Sequence, residues 1–181
     1  MAGDPRSARA AFRAKGARGP EIVWSPAVEA LRAPQLRFLL RYWQELAEER
    51  KMPLAKQIDA MEMRPALGYL MLIDVLGRGE DFRYRLFGSS IAGVSGFDMT
   101  GRCVSEHRAS PHIVEFALSV YRAVLQRGEP LFTEHGPAGA LNTFSWYRLI
   151  LPLADQNNET TRFIVGNIPA TRDGRTVSLR L

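Results

Sequence analysis

The chain has 181 residues, with 24 Lys+Arg against 19 Asp+Glu and a single cysteine. That length suits one domain with extensions and buries enough surface to need no disulfide or structural metal, and one thiol excludes both a disulfide framework and an all-cysteine zinc site. At 46% hydrophobic and 24% charged residues the composition excludes a disordered, collagen-like or coiled-coil chain, and no run of 18 apolar residues is present to cross a membrane.

The first segment carries most of the charge. Residues 1–20 hold five basic side chains against Asp4, so the rest of the chain sums to only +1 of the formal +5. Ala, Gly and Arg with one Phe cannot order themselves by burial, and residues 1–24 read as a disordered basic tail. A basic arm resting on nucleic acid is the sharper alternative, but the near-neutral body gives it little support. The segment is Arg-rich and acid-poor like an organelle transit peptide, and it lacks the apolar region of a secretory signal. A lone thiol fits a reducing, cytoplasmic location.

Residues 25–51 read as an N-terminal helical segment. Ser25-Pro26 has the form of an N-cap followed by Pro at the first helical position, and Pro34 breaks or restarts that helix. Leu36, Leu39, Leu40, Trp43, Leu46 and Ala47 then recur at helical spacing with charged residues elsewhere on the wheel. This stripe can pack on its own domain or form the seam of a homodimer, with Leu36, Leu39, Leu40, Trp43 and Leu46 as the candidate interface.

Residues 52–67 are irregular. Tyr69 to Leu76 is a short apolar run of strand length, the residues from Gly77 to Asp81 form a turn, and Phe82-Arg83-Tyr84-Arg85-Leu86 alternates as a half-buried strand does. Four glycines between Gly88 and Gly101 point to short helical turns and tight loops. Ser110-Pro111 opens a helix that carries Ile113, Phe116, Ala117, Val120, Tyr121 and Val124 on one face and stops at Gly128. Strands follow over 131–135, 144–153 and 162–168, and residues 169–181 read as a C-terminal tail in which Val177 and Leu179 could extend an edge. Strands joined by short turns are antiparallel, so the expected fold is α+β: a five-stranded antiparallel sheet with helices on one face and an N-terminal amphipathic helix.

Several pieces in this order carry a resemblance. They are Tyr42-Trp43, Ile58-Asp59, Leu72 with Asp74-Val75, the strand 82–86 with Gly88, Asp98-Met99-Thr100-Gly101-Arg102, Tyr121, Arg127-Gly128 with Pro130, and Arg148 with Leu151-Pro152-Leu153. Over about residues 36–168 the chain resembles the alphaproteobacterial PAS_5 family of PAS domains, departing from it at Ser89 and Ala60. The resemblance implies a PAS-like domain over 52–168 and a sensory or adaptor protein, not an enzyme, that holds a small ligand or a protein partner in the concavity between sheet and helices. With no kinase, cyclase or DNA-binding domain following, such a protein is expected to signal through a partner in trans.

Gly101-Arg102-Cys103 superficially resembles the motif of flavin-binding PAS photoreceptors, but the Asn before the Cys is absent and Val104-Ser105-Glu106 replaces the residues that follow it. His112 opens the long helix, where a lone His is ordinarily exposed rather than a haem ligand. His107, His112 and His135 lie in separate segments without ligand spacing. Haem, flavin and metal therefore find no support. Asp98 and Thr100 read as a loop-closing pair. The residues expected to face an inner pocket are Leu72, Leu86, Ile91, Phe97, Phe116, Val120, Trp146, Arg148 and Ile150. Arg148 would serve an anionic ligand or, by preference, a structural salt bridge to a buried acid such as Asp74. The main alternative is a small isomerase or dehydratase on a cone-like α+β fold, which needs an acid or a His at the bottom of the cavity, and Asp74 is the one candidate.

Overall fold

A computed structural model describes residues 19–107, 109–136 and 144–171. The basic segment 1–18, residues 137–143 and the end of the chain with Val177 and Leu179 lie outside the described residues. Among the described residues the α-helices and strands are, in chain order, β1 (Glu21–Trp24), α1 (Pro34–Ala47), β2 (Leu70–Leu76), β3 (Asp81–Phe87), α2 (Ser89–Ser95), α3 (Pro111–Arg127), β4 (Leu131–His135), β5 (Phe144–Ala154) and β6 (Thr160–Thr171).

The strands make one antiparallel sheet in the order β1-β4-β5-β6-β2-β3. It has six strands rather than the expected five. The additional one is β1, at residues assigned from sequence to the tail. Two β-branched residues and a Trp suit it to an edge, where Glu21 to Trp24 pair with Glu134 to Leu131. The Arg127 guanidinium lies 4.0 Å over the Trp24 ring and holds the end of that strand. Ser25 does not cap a helix. It takes φ 43° and its N–H donates to the Pro130 carbonyl at 2.8 Å, so the chain turns away from the sheet there. A short 3-10 turn at Val28–Ala30 follows, and the helix itself starts with Pro34 in its first turn.

The helices divide between the two faces. On one, α1 lays Leu36, Leu39, Leu40 and Trp43 into a core with Tyr147, Leu149, Leu151 and Leu153 of β5 and Ile164 and Ile168 of β6. On the other, α2 and α3 bury Ile91, Phe116, Val120 and Tyr121 against Met71, Ile73, Phe82, Tyr84, Ile150, Phe163 and Val165. Period-two alternation along β5 and β6 sends neighbouring residues to opposite cores.

One register shift matters for function. Leu72 pairs with Leu86 and Ile73 with Tyr84, so Arg85 is an extra residue between them. Before this bulge Phe82 and Tyr84 share the α3 face. After it Phe87 takes that face and Leu86 the other. The outer edge of β3 is covered by the following loop, with the Tyr84 N–H donating to the Arg102 carbonyl at 3.0 Å and the Gly101 N–H to the Tyr84 carbonyl at 2.7 Å.

Gly88, between β3 and α2, admits close backbone approach. A Cβ there would meet the Gly68 carbonyl oxygen and come within 2.9 Å of the Leu70 carbonyl oxygen, and neither can move independently of the chain. Gly88→Ala is expected to cost about 1–3 kcal/mol, seen as a lower urea midpoint with an unchanged slope.

Candidate functional site

A cavity of about 250 Å³ opens between the sheet, α2 and the N-terminal half of α3. Phe87, Ile91, Phe97, Ile113 and Trp146 supply much of an apolar wall, and His107, His135, Arg148 and Asn167 bring polar atoms to it. Its volume falls just below the range of about 300–1,000 Å³ usual for pockets that hold drug-sized ligands.

Of the nine residues expected in the pocket, Ile91, Phe97, Trp146 and Arg148 line it. Phe116, Val120 and Ile150 belong to the same face but sit in the packed core beside the cavity. Leu72 and Leu86 are corrected to the α1 face: alternation along β2 puts Leu72 there, opposite to Met71 and Ile73, and the Arg85 bulge turns Leu86 there. Tyr84 and Phe87 stand on the cavity side instead. The candidate dimer stripe is placed as well: Leu36, Leu39, Leu40 and Trp43 are buried in the chain's own outer core, and Leu46 packs against its margin.

The polar lining follows from the strands. Leu131, Thr133 and His135 alternate inward along β4, and His135 pairs directly with Trp146. Thr133 pairs with Arg148, and Arg148 in turn with Asn167. The Arg148 side chain is thereby centred in a polar row crossing three strands. The residue is 7% exposed. Its Nε donates to the Asn167 Oδ1 at 3.2 Å, and its Nη1 is buried without a partner.

This cation shapes the groups around it. Burial and then the charge of Arg148 push His107 down to about 4, and the same two causes hold His135 well below the ordinary histidine range. Burial raises the phenols of Tyr84 and Tyr121, a rise that the Arg148 charge opposes. The His107 Nδ1 accepts the Ala109 N–H at 3.0 Å, so in the neutral ring the proton is on Nε2. The His107 ring is edge-on to Phe97 with centroids 5.0 Å apart.

Asp74 is not the partner of Arg148. It lies on the opposite face, where its carboxylate accepts from Arg85 Nε at 3.1 Å and Arg162 Nε at 2.8 Å, with Arg83 Nη2 at 3.4 Å. Desolvation pushes this carboxyl up, but hydrogen bonds and charge from Arg85 and Arg162 outweigh it and hold the group below its usual range. The acid expected for the enzyme reading, Asp74, is therefore neither in the cavity nor raised in pKa, and the cavity presents His107 and His135 instead. Cys103 does not line the cavity either. Partial burial, then the charges of Asp81 and Glu106, push its thiol up, away from thiolate character. His112 is buried within α3 rather than exposed, and it too is absent from the cavity wall. Asp98 takes the expected loop-closing role, accepting from the Thr100 N–H at 2.8 Å and hydroxyl at 2.7 Å.

His107, His135 and Asn167 escaped the sequence reading. Strand alternation from Leu131 would have turned His135 inward, and the β5–β6 register would have set Asn167 beside Arg148. For His107, in a loop, no periodic signal exists. Among the described residues no helix is long and apolar enough to cross a membrane.

No curated protein matches the chain. Among solved structures the fold is similar to one described as "Structure of an RNA-binding Light-Oxygen-Voltage Receptor", with 16% identity and a TM-score of 0.44. The match covers 66% of this chain and 36% of that one. A PAS domain family profile matches residues 31–168, which takes in both helical layers, β2 to β5 and most of β6. With that profile spanning most of the chain and an antiparallel sheet closing a cavity under its helices, the protein belongs to the PAS domain family.

Proposed function

We propose that the protein is a sensory PAS protein whose signal is a small molecule bound between the sheet, α2 and α3. The observation that carries this reading is the cavity itself, which combines a largely apolar wall with a few convergent polar groups. A domain whose interior served packing alone would fill this space with side chains. The cavity also borders α2, a helix of only seven residues that begins directly after β3. A ligand touching Ile91 and Val94 therefore contacts an element held by few turns of its own.

Native mass spectrometry of freshly purified full-length protein, followed by thermal-shift screening of a metabolite library, tests the reading. A non-covalent adduct of small-molecule mass, or a midpoint rising with concentration of one compound, is the expected result. Bare chain mass together with no stabilising compound would reject it.

A further inference from the structure

We propose that the cavity takes a small monocarboxylate, with an apolar, ring-sized body among Phe87, Phe97, Ile113 and Trp146 and its anionic head paired to Arg148. This rests on the reading of the cavity as a ligand site, and it names the chemistry that the site selects.

The first argument is charge balance. Arg148 is a buried guanidinium that lines the cavity, with one nitrogen bonded to Asn167 and another lacking any partner. No Asp or Glu lines the cavity among the described residues, and none of them forms an ion pair with Arg148. The one buried acid among the described residues, Asp74, is committed to three other arginines on the far face. The sequence from 137 to 143, which continues from the cavity residue Gly136, also contains no acid. A permanently charged buried side chain without a counter-ion destabilises the empty protein, and an anionic ligand supplies what the described residues do not.

The second argument is the kind of anion. One guanidinium matches one carboxylate in charge and offers it a two-pronged donor set. The neighbouring histidines are held neutral, so they add no second positive charge for a phosphate dianion. The Thr133 hydroxyl, opposite Arg148 across the β4–β5 pair, is also buried without a partner, so the polar row has unused capacity beyond the charge. The third argument is shape. Beyond that row the wall is aromatic and aliphatic, and the volume limits the guest to roughly one ring with a short side arm.

Isothermal titration of the full chain with matched pairs tests this: phenylacetate against phenylacetamide, and hexanoate against hexanamide, with toluene as a neutral filler and phenyl phosphate as the dianion. The acids are expected to bind at least about tenfold more tightly than their amides, a preference that R148M and R148Q both abolish. Without ligand, R148M is expected to raise the thermal midpoint, because it removes an uncompensated buried charge. A structural arginine would lower it. Amides binding as well as acids, an acid preference surviving in both variants, or tighter binding of phenyl phosphate would overturn the carboxylate assignment. Binding of toluene or the amides with the acids inert would overturn it while leaving the ligand site intact. If neither acids nor neutral probes bind, the cavity reading falls and takes this inference with it.

Discussion

Replacing Trp43 by alanine is expected to cost about 3–5 kcal/mol of folding stability, the range for removing a large aromatic from a core. Trp43 is 6% exposed and lies at the centre of the α1 stripe, in the same cluster as Leu36, Leu39, Leu40 and Leu153. Its indole N–H donates to the Pro152 carbonyl at 2.7 Å, a bond between the helix and the middle of the sheet. Proline carries no N–H of its own at that point of β5, so its carbonyl is the polar group available there. Trp43→Phe separates the two contributions: it keeps an aromatic ring but orphans the carbonyl, at an expected cost of about 1–3 kcal/mol. Urea unfolding monitored by far-UV circular dichroism reads both. The loss is expected to be independent of protein concentration, because the stripe is covered by the chain's own sheet. A concentration-dependent midpoint in the parent protein would instead mean that the helix also meets a second copy.

Acidification is expected to unfold the protein in two stages. The folded-state pKa values of His107 and His135 are depressed, so between pH 6.5 and about 4 the unfolded chain binds more protons than the folded one. Their contribution is fully present above pH 6.5 and is lost as the pH falls. Each proton of linkage is worth about 1.4 kcal/mol per pH unit. His135, fully enclosed, contributes close to that, and His107, which keeps some solvent contact, contributes less. A combined slope of about 2 kcal/mol per pH unit follows over this window. Asp74 acts lower: its folded pKa is depressed from 3.8 by Arg85 and Arg162, so its stabilisation is lost only as the pH falls below that value. Urea midpoints measured at half-unit steps from pH 7.5 to 3.5 would show the first stage. His135→Gln is expected to reduce its slope by about two-thirds. A flat profile down to pH 4 would mean that both rings charge without opening the cavity.

Much of the architecture was legible because periodicity is a strong signal for long elements. The stripe from Leu36 to Ala47 and the face from Ile113 to Val124 announced α1 and α3, and alternation along 144–153 set Trp146, Arg148 and Ile150 on one face. Short and irregular features escaped. β1 has four residues and follows a basic tail, so pairing with β4 rather than local propensity makes it a strand. The bulge at Arg85 leaves no mark in a sequence that alternates smoothly through Leu86, and it moved Leu86 out of the expected pocket. Partner choice was the hardest: Asp74 and Arg148 are both buried and opposite in charge, yet they occupy opposite faces of one sheet. Only the register decides that.

The three tryptophans fall into three distinct environments: Trp24 on the edge strand beneath a guanidinium, Trp43 in the outer core bonded to a carbonyl, and Trp146 on the cavity wall. The molecule thus carries a native fluorophore at its edge, in its structural layer and at its proposed receptor. With the other two changed to phenylalanine, each reports its own region without an attached label. Quenching of Trp146 by a guest, fraying of the edge at Trp24 and loss of the helical layer at Trp43 become separately observable in one chain.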